Sequence, residues 1–273
     1  MTDKTFHDLE HEAWSGRAKE YDNLFASVST QAIGYILDDL GFIKGKRHLD
    51  VACGTGHLVA AACARGALSE GLDFAEPMIE VARATYPKAY FQVGDATKLP
   101  YKDQSFEFVT CAFGLQHMQN PQTAMNEAYR VLKSGGCFAF TLWFGPDEGN
   151  DFQKVFNTAL SRFALDPVAL PETWVQFRYA DPKTCERFTR QAGFASPVFQ
   201  RLPIVWRLNK AEEAIRILKN LSTRTKMVLD GQPPAIQAQI YGYVVAEIEA
   251  CRRNGIISLA GPALLTTVQK PDG

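Results

Sequence analysis

The residues of this sequence best suited to chemistry are three acidic side chains and a turn rich in small residues. The turn is DVACGTGH (residues 50–57), in which two glycines would let the backbone pass close to a ligand. Asp50 begins this turn, Asp73 follows its second glycine by 17 residues, and Asp95 comes after a third apolar segment. A carboxylate accepts two O–H bonds at once, so acids at such positions suit ribose hydroxyls. The pattern predicts a crevice that binds a nucleoside.

The residues around the turn disfavour the two common phosphate-binding motifs. A dinucleotide motif needs a third glycine where this chain has Val59, and no Gly-Lys-Ser/Thr follows as a P-loop requires. Asp50 would repel a pyrophosphate and attract a cation such as an α-ammonium group. The sequence therefore predicts a ligand with an adenosine and a positive charge but no phosphate, and it disfavours a nicotinamide dehydrogenase.

The three acids can share one crevice only if the elements that carry them form a parallel sheet. Apolar runs predict strands at residues 47–52, 70–74, 89–93, 106–112 and 137–144, with helices at 57–65, at 77–86 and from 121 to the glycines at 135–136. Strands that alternate with helices form parallel βαβ units, so we predict an α/β, doubly wound fold. The carboxyl ends of the strands would then meet at one edge.

The flanking segments are predicted as additions around this one sheet. Helices are predicted within residues 1–45, at 152–165, at 182–193 and as two longer helices within 210–254 that Pro233 and Pro234 separate; strands are predicted at 198–201 and 262–269. We expect a single domain over 1–273: an N-terminal helical lid at 1–45, a cofactor-binding core at 46–145, and a substrate-side half at 146–273 with a helical cap at about 204–260.

Composition narrows the class of partner. The 273 residues carry 29 Lys+Arg against 30 Asp+Glu, and no basic run exceeds two residues, which argues against nucleic acid as the partner. No apolar stretch reaches the roughly 18 residues of a membrane span, and the charged N-terminus lacks the apolar core of a signal peptide. The six cysteines show no Cys-x-x-Cys pair, as expected of reduced thiols. We predict a cytoplasmic protein that acts on a small molecule without inserting into a membrane.

Four ordered segments carry a resemblance to a known family. They are HLDVACGTGHL, GLDFAEPMIEVAR, GDATKLPYKDQSFEFV and AFGLQHMQNPQTAMNEAYRVLKSGG. From about Lys46 to Phe144 the chain resembles the class I S-adenosylmethionine-dependent methyltransferases of the UbiE-like type (methyltransferase type 11). Ala52, Glu107 and Ser134 depart from the usual Gly, Asp and Pro of these motifs without damaging the expected site. The resemblance implies a seven-stranded Rossmann-like sheet with an N-terminal lid and a helical insertion before the last strand.

The resemblance also implies a cofactor and its contacts. S-adenosyl-L-methionine would bind in the crevice and leave as S-adenosyl-L-homocysteine. Asp50 would hold the amino end of the cofactor, Asp73 its ribose hydroxyls, and Tyr21 would close the lid. The full set of expected cofactor-binding residues is Tyr21, Asp50, Ala52, Gly54, Gly56, Asp73, Phe74, Met78, Asp95, Ala96, Ala112 and Phe113.

The expected reaction is direct displacement of the methyl group by an O, N or C nucleophile. Because the cofactor is intrinsically reactive, positioning would supply most of the acceleration, and a base is needed only if the nucleophile must lose a proton. His117 follows the fourth strand and is the candidate catalytic residue; the alternative is a histidine that only bonds locally at a helix start. His7 and His11 lie four residues apart without a third ligand, so no metal is expected.

The acceptor side is less specific in sequence. The aromatic residues Trp143, Phe152, Trp174, Phe177 and Trp206 would line an apolar pocket for a small, apolar or planar molecule, or else form an ordinary second core. Two alternatives to methyl transfer stay open: a non-methylating reaction that uses the same cofactor, and a non-catalytic partner subunit. Monomer and homodimer are both compatible with the sequence.

Overall fold

A computed structural model describes residues 5–165 and 177–272 of the chain. The strands are β1 (Arg47–Val51), β2 (Leu68–Asp73), β3 (Tyr90–Val93), β4 (Phe106–Ala112), β5 (Leu132–Trp143), β6 (Val198–Leu202), β7 (Val205–Leu208), β8 (Arg252–Arg253), β9 (Ile256–Ala260) and β10 (Ala263–Gln269). The helices are α1 (Phe6–Tyr21), α2 (Ser27–Ser29), α3 (Gln31–Asp39), α4 (His57–Ala64), α5 (Glu76–Thr85), α6 (Pro121–Val131), α7 (Asp151–Phe163), α8 (Pro182–Gln191), α9 (Glu213–Leu221), α10 (Thr223–Asp230) and α11 (Pro234–Ala250).

Seven strands form one mixed sheet in the order β3-β2-β1-β4-β5-β10-β6. Strands β1 to β5 run parallel, whereas β10 runs antiparallel to both β5 and β6. The strand order reverses between β1 and β4, and ligands of such sheets bind outside the carboxyl ends at that point. The predicted α/β, doubly wound, Rossmann-like sheet of seven strands is confirmed.

The chain divides into two compact units. The first contains the described residues up to Trp143, Phe177–Leu202 and those from Ala263 onward, and it holds the seven-stranded sheet. Within it, the described part of residues 1–45 is mainly helical, with a π-helical turn over Asp22–Ala26 directly after α1. The second unit contains the described part of residues 144–176 and Pro203–Pro262, in which α7 packs on α11 and β7-β9-β8 form an antiparallel sheet.

Two predictions of secondary structure are wrong. Residues 210–254 form three helices rather than two, because Ser222 adopts an extended backbone and its side chain accepts a hydrogen bond from the Thr225 N–H. Besides these helices, the segment predicted as a helical cap at about 204–260 contains β7, β8 and β9. The helix that begins at Pro121 ends at Val131, and β5 starts at the next residue rather than at Cys137.

Membrane insertion was not expected from the sequence. Across the described ranges 5–165 and 177–272, no helix is long and apolar enough to cross a bilayer.

The packing beneath the acidic crevice depends on one aromatic side chain. Phe91 of β3 is buried in a cluster with Val59, Ile79 and Ala82, which come from α4 and α5. Tyr90, its neighbour on the same edge strand, is 58% exposed. The cluster therefore fixes α4 and α5 against the sheet through Phe91.

We expect Phe91→Ala to lower the free energy of unfolding by about 3–5 kcal/mol, since it removes a large buried ring and leaves a cavity. The matched control, Tyr90→Ala, should cost less than about 1 kcal/mol because its side chain stays in water. Urea denaturation of both variants measures the difference. Equal losses would contradict the packing described here.

Candidate functional site

Asp73 ends β2 and is locked in place by two backbone donors. Its Oδ2 accepts the Gly54 N–H and its Oδ1 accepts the Ala75 N–H, each at 2.9 Å. A carboxylate has about four acceptor positions, so Asp73 keeps capacity for a further donor. Burial raises the pKa of Asp73, and the backbone bonds oppose that shift. The side chain is thus held rigidly at the strand end and can still accept hydroxyl groups.

Asp50 is the second buried carboxylate, near the end of the adjacent β1. Its Oδ1 accepts the Thr110 hydroxyl at 2.7 Å. Burial raises the pKa of Asp50 to about 7; the Thr110 bond opposes this shift and the charge of Asp73 adds to it. Because the folded chain holds this proton more tightly than the unfolded chain, Asp50 destabilises the fold as pH rises from about 4 to about 7. A cation beside Asp50 would remove that penalty.

A buried polar chain orients the Asp50 partner. Since the Thr110 hydroxyl donates to Asp50, its oxygen accepts from His48 Nε2–H at 2.8 Å, and His48 Nδ1 accepts from the Ser69 hydroxyl at 2.7 Å. Burial lowers the pKa of His48 to about 3, so the imidazole is neutral. This series of hydrogen bonds runs across the adjacent strands β2, β1 and β4, and it gives each of these buried polar groups a partner.

The two glycines of the turn, Gly54 and Gly56, have different roles. Gly54 and Gly56 both have positive φ, at 52° and 87°. A Cβ on Gly56 would lie 2.6 Å from Cζ of Phe91, whereas a Cβ on Gly54 would meet no atom within 4 Å. Gly56 is therefore required for packing, and Gly54 leaves space beside Asp73. Ala52 shares the left-handed region at φ 56°, which explains why related motifs favour glycine there.

Helix α1 presents polar and aromatic side chains on one face at the spacing of a helix. They are Glu10, Trp14, Arg17 and Tyr21. Tyr21 is half-buried with its hydroxyl 3.2 Å from Ser29 Oγ; desolvation raises the pKa of Tyr21, and the charges of Asp22, Asp73 and Asp50 add to the shift. The end of α1 therefore lies within the electrostatic influence of the two buried carboxylates.

Arg17 is a buried cation on this face. Its guanidinium lies 5.4 Å from the Trp14 ring centroid, and among the described residues neither Nη atom has a hydrogen-bond partner. Burial lowers the pKa of Arg17, and the charge of Glu10 opposes that shift. A buried guanidinium with free donors suits an anionic group such as a carboxylate.

The turn that follows α1 is fastened to the glycine turn. Asp22 Oδ1 accepts from Thr55 Oγ1 at 2.7 Å and from His57 Nε2 at 3.0 Å. The other imidazole nitrogen of His57 accepts from the Tyr86 hydroxyl at 2.7 Å. Asp22 begins the π-helical turn, and such turns often occur at functional sites. These bonds hold the end of α1 against the glycine turn beside Asp73.

The residues expected on the adenine side lie along the same edge of the sheet. Phe74 packs with Met78 and Ala18, and the rings of His7 and His11 contact it edge-on at 5.6 and 5.4 Å. Asp95 is exposed, and its Oδ1 accepts the Thr97 N–H at 2.8 Å; the next residue, Ala96, is buried.

The expected acceptor-side residues separate into different places. Ala112 ends β4, and Phe113, at φ 58°, stacks its ring on Trp143 at 4.0 Å in the first unit. Phe177 is half-buried at φ 65°. Phe152 and Trp206 stack at 5.3 Å in the second unit and are only 2% and 5% exposed. Trp174 lies outside the described residues.

His117 lies in the short 3₁₀ turn Leu115–His117, immediately beyond β4. Its Nδ1 is 3.0 Å from Glu10 Oε2, and its ring meets Trp14 edge-on at 4.9 Å. Sequence reasoning missed Glu10 and Arg17 as site residues. Their helical spacing with Trp14 and Tyr21 was readable, but nothing in the sequence showed that this charged face is buried.

Comparison with known proteins agrees with this geometry. Residues 49–140 match the protein family described as a methyltransferase domain. Two demethylmenaquinone methyltransferases, from Staphylococcus aureus (strain MRSA252) and Renibacterium salmoninarum, are each 37% identical over 136 and 134 residues. These alignments cover 46% and 49% of this chain and 56% of each relative, so the chain spans little more than half the length of the relatives it matches.

Solved structures share the fold at lower identity. Phosphoethanolamine N-methyltransferase 2 from Haemonchus contortus, in complex with phosphomonomethylethanolamine and S-adenosylhomocysteine, has a TM-score of 0.60 at 18% identity, covering 98% of this chain and 61% of that chain. The YcgJ protein from Bacillus subtilis has a TM-score of 0.58 at 23% identity, covering 89% of this chain and 100% of that chain.

The sheet order and the acidic crevice define the class: the chain has the class I methyltransferase fold. Residues 49–140 are similar to the methyltransferase-domain family and to the demethylmenaquinone methyltransferases named above. The resemblance predicted from the UbiE-like motifs is confirmed for this part of the chain.

Alanine substitutions at the two glycines should separate folding from binding. Gly56→Ala forces a Cβ against Phe91, and we expect about 2–4 kcal/mol of lost stability from overpacking and left-handed strain. Gly54→Ala should cost only about 1 kcal/mol of strain, because its Cβ meets no atom of the chain. It fills the crevice, however, and should weaken binding of S-adenosylhomocysteine at least about tenfold. Urea denaturation and titration calorimetry measure the two effects; unimpaired binding by Gly54→Ala would refute the assignment.

Proposed function

We propose that this chain is an S-adenosylmethionine-dependent methyltransferase that transfers a methyl group to an O, N or C nucleophile of a small apolar or aromatic molecule. The observation that carries the proposal is the pair of buried carboxylates, Asp50 and Asp73, beside the open space at Gly54. The matched methyltransferase domain and the relatives' names support the same activity.

The residues of the crevice fit each part of this cofactor. The α-ammonium group suits Asp50, whose raised pKa reflects a buried site without a cation. The ribose hydroxyls suit the free acceptor positions of Asp73, and the methionine carboxylate suits the two Nη atoms of Arg17. Phe74 and Met78 offer apolar surface to the adenine, with Asp95 and Ala96 near its amino group. A dinucleotide would place phosphate against Asp50 and fits poorly.

This chain's residues would act mainly by holding and orienting the reactants. Bound S-adenosylmethionine supplies an electrophilic methyl group on a sulfonium centre. Asp73 and Asp50 would hold the ligand from rigid strand ends, and the backbone at Ala112 and Phe113 would line the path to its reactive end. Tyr21, with the rest of α1, covers the crevice and excludes water. Alignment of this kind can supply a large part of the acceleration.

The remaining assignments follow from this activity. We propose His117 as the residue that meets the acceptor, with Trp143 beside Phe113 as part of an apolar acceptor pocket and Phe177 as a further candidate. Phe152 and Trp206 bury each other, which supports packing as their main role. The relatives' names and the near-zero net charge support a small-molecule acceptor and a cytoplasmic location. In this proposal residues 1–45 act as the lid of one methyltransferase domain.

Titration calorimetry with S-adenosylhomocysteine tests the cofactor assignment. We expect the wild type to bind and Asp73→Asn to bind about ten- to a hundredfold more weakly, because two charge-assisted hydrogen bonds weaken. Asp147→Asn, at an exposed carboxylate of the second unit, should bind like the wild type. Incubation with labelled S-adenosylmethionine and a panel of small acceptors should then yield S-adenosylhomocysteine and a product with one added CH₂. No binding by the wild type would refute the proposal.

Cofactor binding should release a proton close to neutral pH. An ammonium group favours ionised Asp50, whose pKa is raised to about 7 by burial, so binding below about pH 7 must displace the proton. Affinity should therefore fall by up to about tenfold per unit as the pH is lowered, and level off above it. Calorimetry at about pH 6.5 in buffers of different ionisation enthalpy counts the protons. Asp50→Asn should bind more weakly and release none; absence of proton release in the wild type would contradict the role of Asp50.

A further inference from the structure

A chain of four hydrogen bonds surrounds His117 and links it to α1. The Trp143 N–H lies 3.4 Å from Gln116 Oε1, and Gln116 Nε2 lies 3.2 Å from His117 Nε2. On the other side of the ring, His117 Nδ1 lies 3.0 Å from Glu10 Oε2. The same Glu10 oxygen accepts Trp14 Nε1–H at 2.8 Å. Strand β5, the turn after β4 and helix α1 therefore meet at one imidazole.

These four hydrogen bonds permit one tautomer of His117. The backbone N–H of Trp143 can only donate, so the Gln116 oxygen faces it and the Gln116 amide nitrogen must donate to His117 Nε2. Nε2 is then an acceptor, and the ring proton sits on Nδ1, where it donates to Glu10. A carboxylate that accepts the Nδ1 proton fixes the ring orientation and stabilises the charged imidazolium, as in the acid–histidine pairs of hydrolases.

Burial makes this pair unlike a surface contact. The Glu10 side chain is 2% exposed, and that of His117 is 18% exposed, so the carboxylate is sealed while the imidazole keeps one accessible side. Within the described residues, Gln116 Nε2 is the hydrogen-bond partner of the basic Nε2 lone pair, and a hydroxyl donor could replace that neutral amide. The stacked rings of Phe113 and Trp143 lie next to this position, because Gln116 is bonded to Trp143 itself.

We propose that Glu10 is a positioning residue that sets His117 as a general base, and that the acceptor is a phenol whose hydroxyl loses its proton to Nε2. This inference rests on the proposed function. The phenolic O–H bond breaks and its proton moves to Nε2, the oxygen forms the new O–CH₃ bond, and the CH₃–S bond breaks with its electron pair left on sulfur. Glu10 stabilises the imidazolium, and the flat apolar surface of Phe113 and Trp143 receives the aromatic ring.

The test compares two phenols in three proteins. At about pH 8 the hydroxyl of 2-naphthol is protonated, whereas 4-nitrophenol is ionised and needs no base. For Glu10→Gln we expect the kcat for 2-naphthol to fall at least about tenfold, and the kcat for 4-nitrophenol to change less than about twofold. The KM for S-adenosylmethionine should be unchanged for both. The control Glu20→Gln, at an exposed carboxylate of the same helix, should match the wild type.

A readout without turnover tests the positioning itself. With ¹⁵N-labelled histidine, NMR of the unliganded protein should report His117 in the Nδ1–H form in the wild type and in Glu20→Gln. Glu10→Leu, which removes the acceptor, should move His117 toward the Nε2–H form. The His117→Asn variant assigns the signal by its loss.

The outcomes separate the two proposals. A wild-type chain that binds no S-adenosylhomocysteine refutes the proposed function. A wild-type chain that binds S-adenosylhomocysteine but methylates neither phenol refutes the acceptor class and the base. An equal loss of kcat for both phenols in Glu10→Gln refutes them as well. An unchanged His117 tautomer in Glu10→Leu refutes the positioning role of Glu10.

Discussion

The burial of two carboxylates at the ends of adjacent parallel strands is the constraint on which the rest of the site depends. Asp50 and Asp73 lie in β1 and β2, and the parallel direction of β1 to β5 brings the carboxyl ends of these strands to one edge. Buried acids are costly unless hydrogen bonds or cations compensate them. Backbone donors from Gly54 and Ala75 compensate Asp73, whereas Asp50 accepts the Thr110 hydroxyl and keeps a raised pKa. The fold thus stores an electrostatic penalty that a cationic ligand removes.

Helix α1 buries charged side chains and carries aromatic rings of its own. A helix that covered only an apolar core would bury apolar residues, yet α1 buries Glu10 and Arg17 together with Phe6 and Ala18. Arg17 places a cation beside Trp14, and the Glu10 carboxylate contacts His117 beyond β4. The bonds of Asp22 to Thr55 and His57 fasten the end of α1 to the glycine turn. Residues 6–22 therefore contact both the glycine turn and the turn after β4.

Local sequence patterns predicted the strands that carry the acidic residues. They did not predict the short strands and side-chain contacts that depend on tertiary packing. The strand Phe106–Ala112 was predicted with its observed bounds because its apolar run is flanked by turn residues. The register of Asp50 with Thr110 also follows from parallel pairing once the strands are known. By contrast, β7 and β9 are short strands that stabilise each other by pairing, and the sequence of neither strand alone predicts it. The contact of Glu10 with His117 joins residues 107 positions apart, so no local spacing could reveal it.

A crystal structure with S-adenosylhomocysteine bound tests the central claim most directly. The account predicts the ribose hydroxyls within hydrogen-bond distance of Asp73, the ammonium group against Asp50, and the methionine carboxylate on the guanidinium of Arg17. The ligand should also occupy the space where a Cβ of residue 54 would lie. A ligand bound elsewhere, or one whose ammonium group does not contact Asp50, would contradict the account.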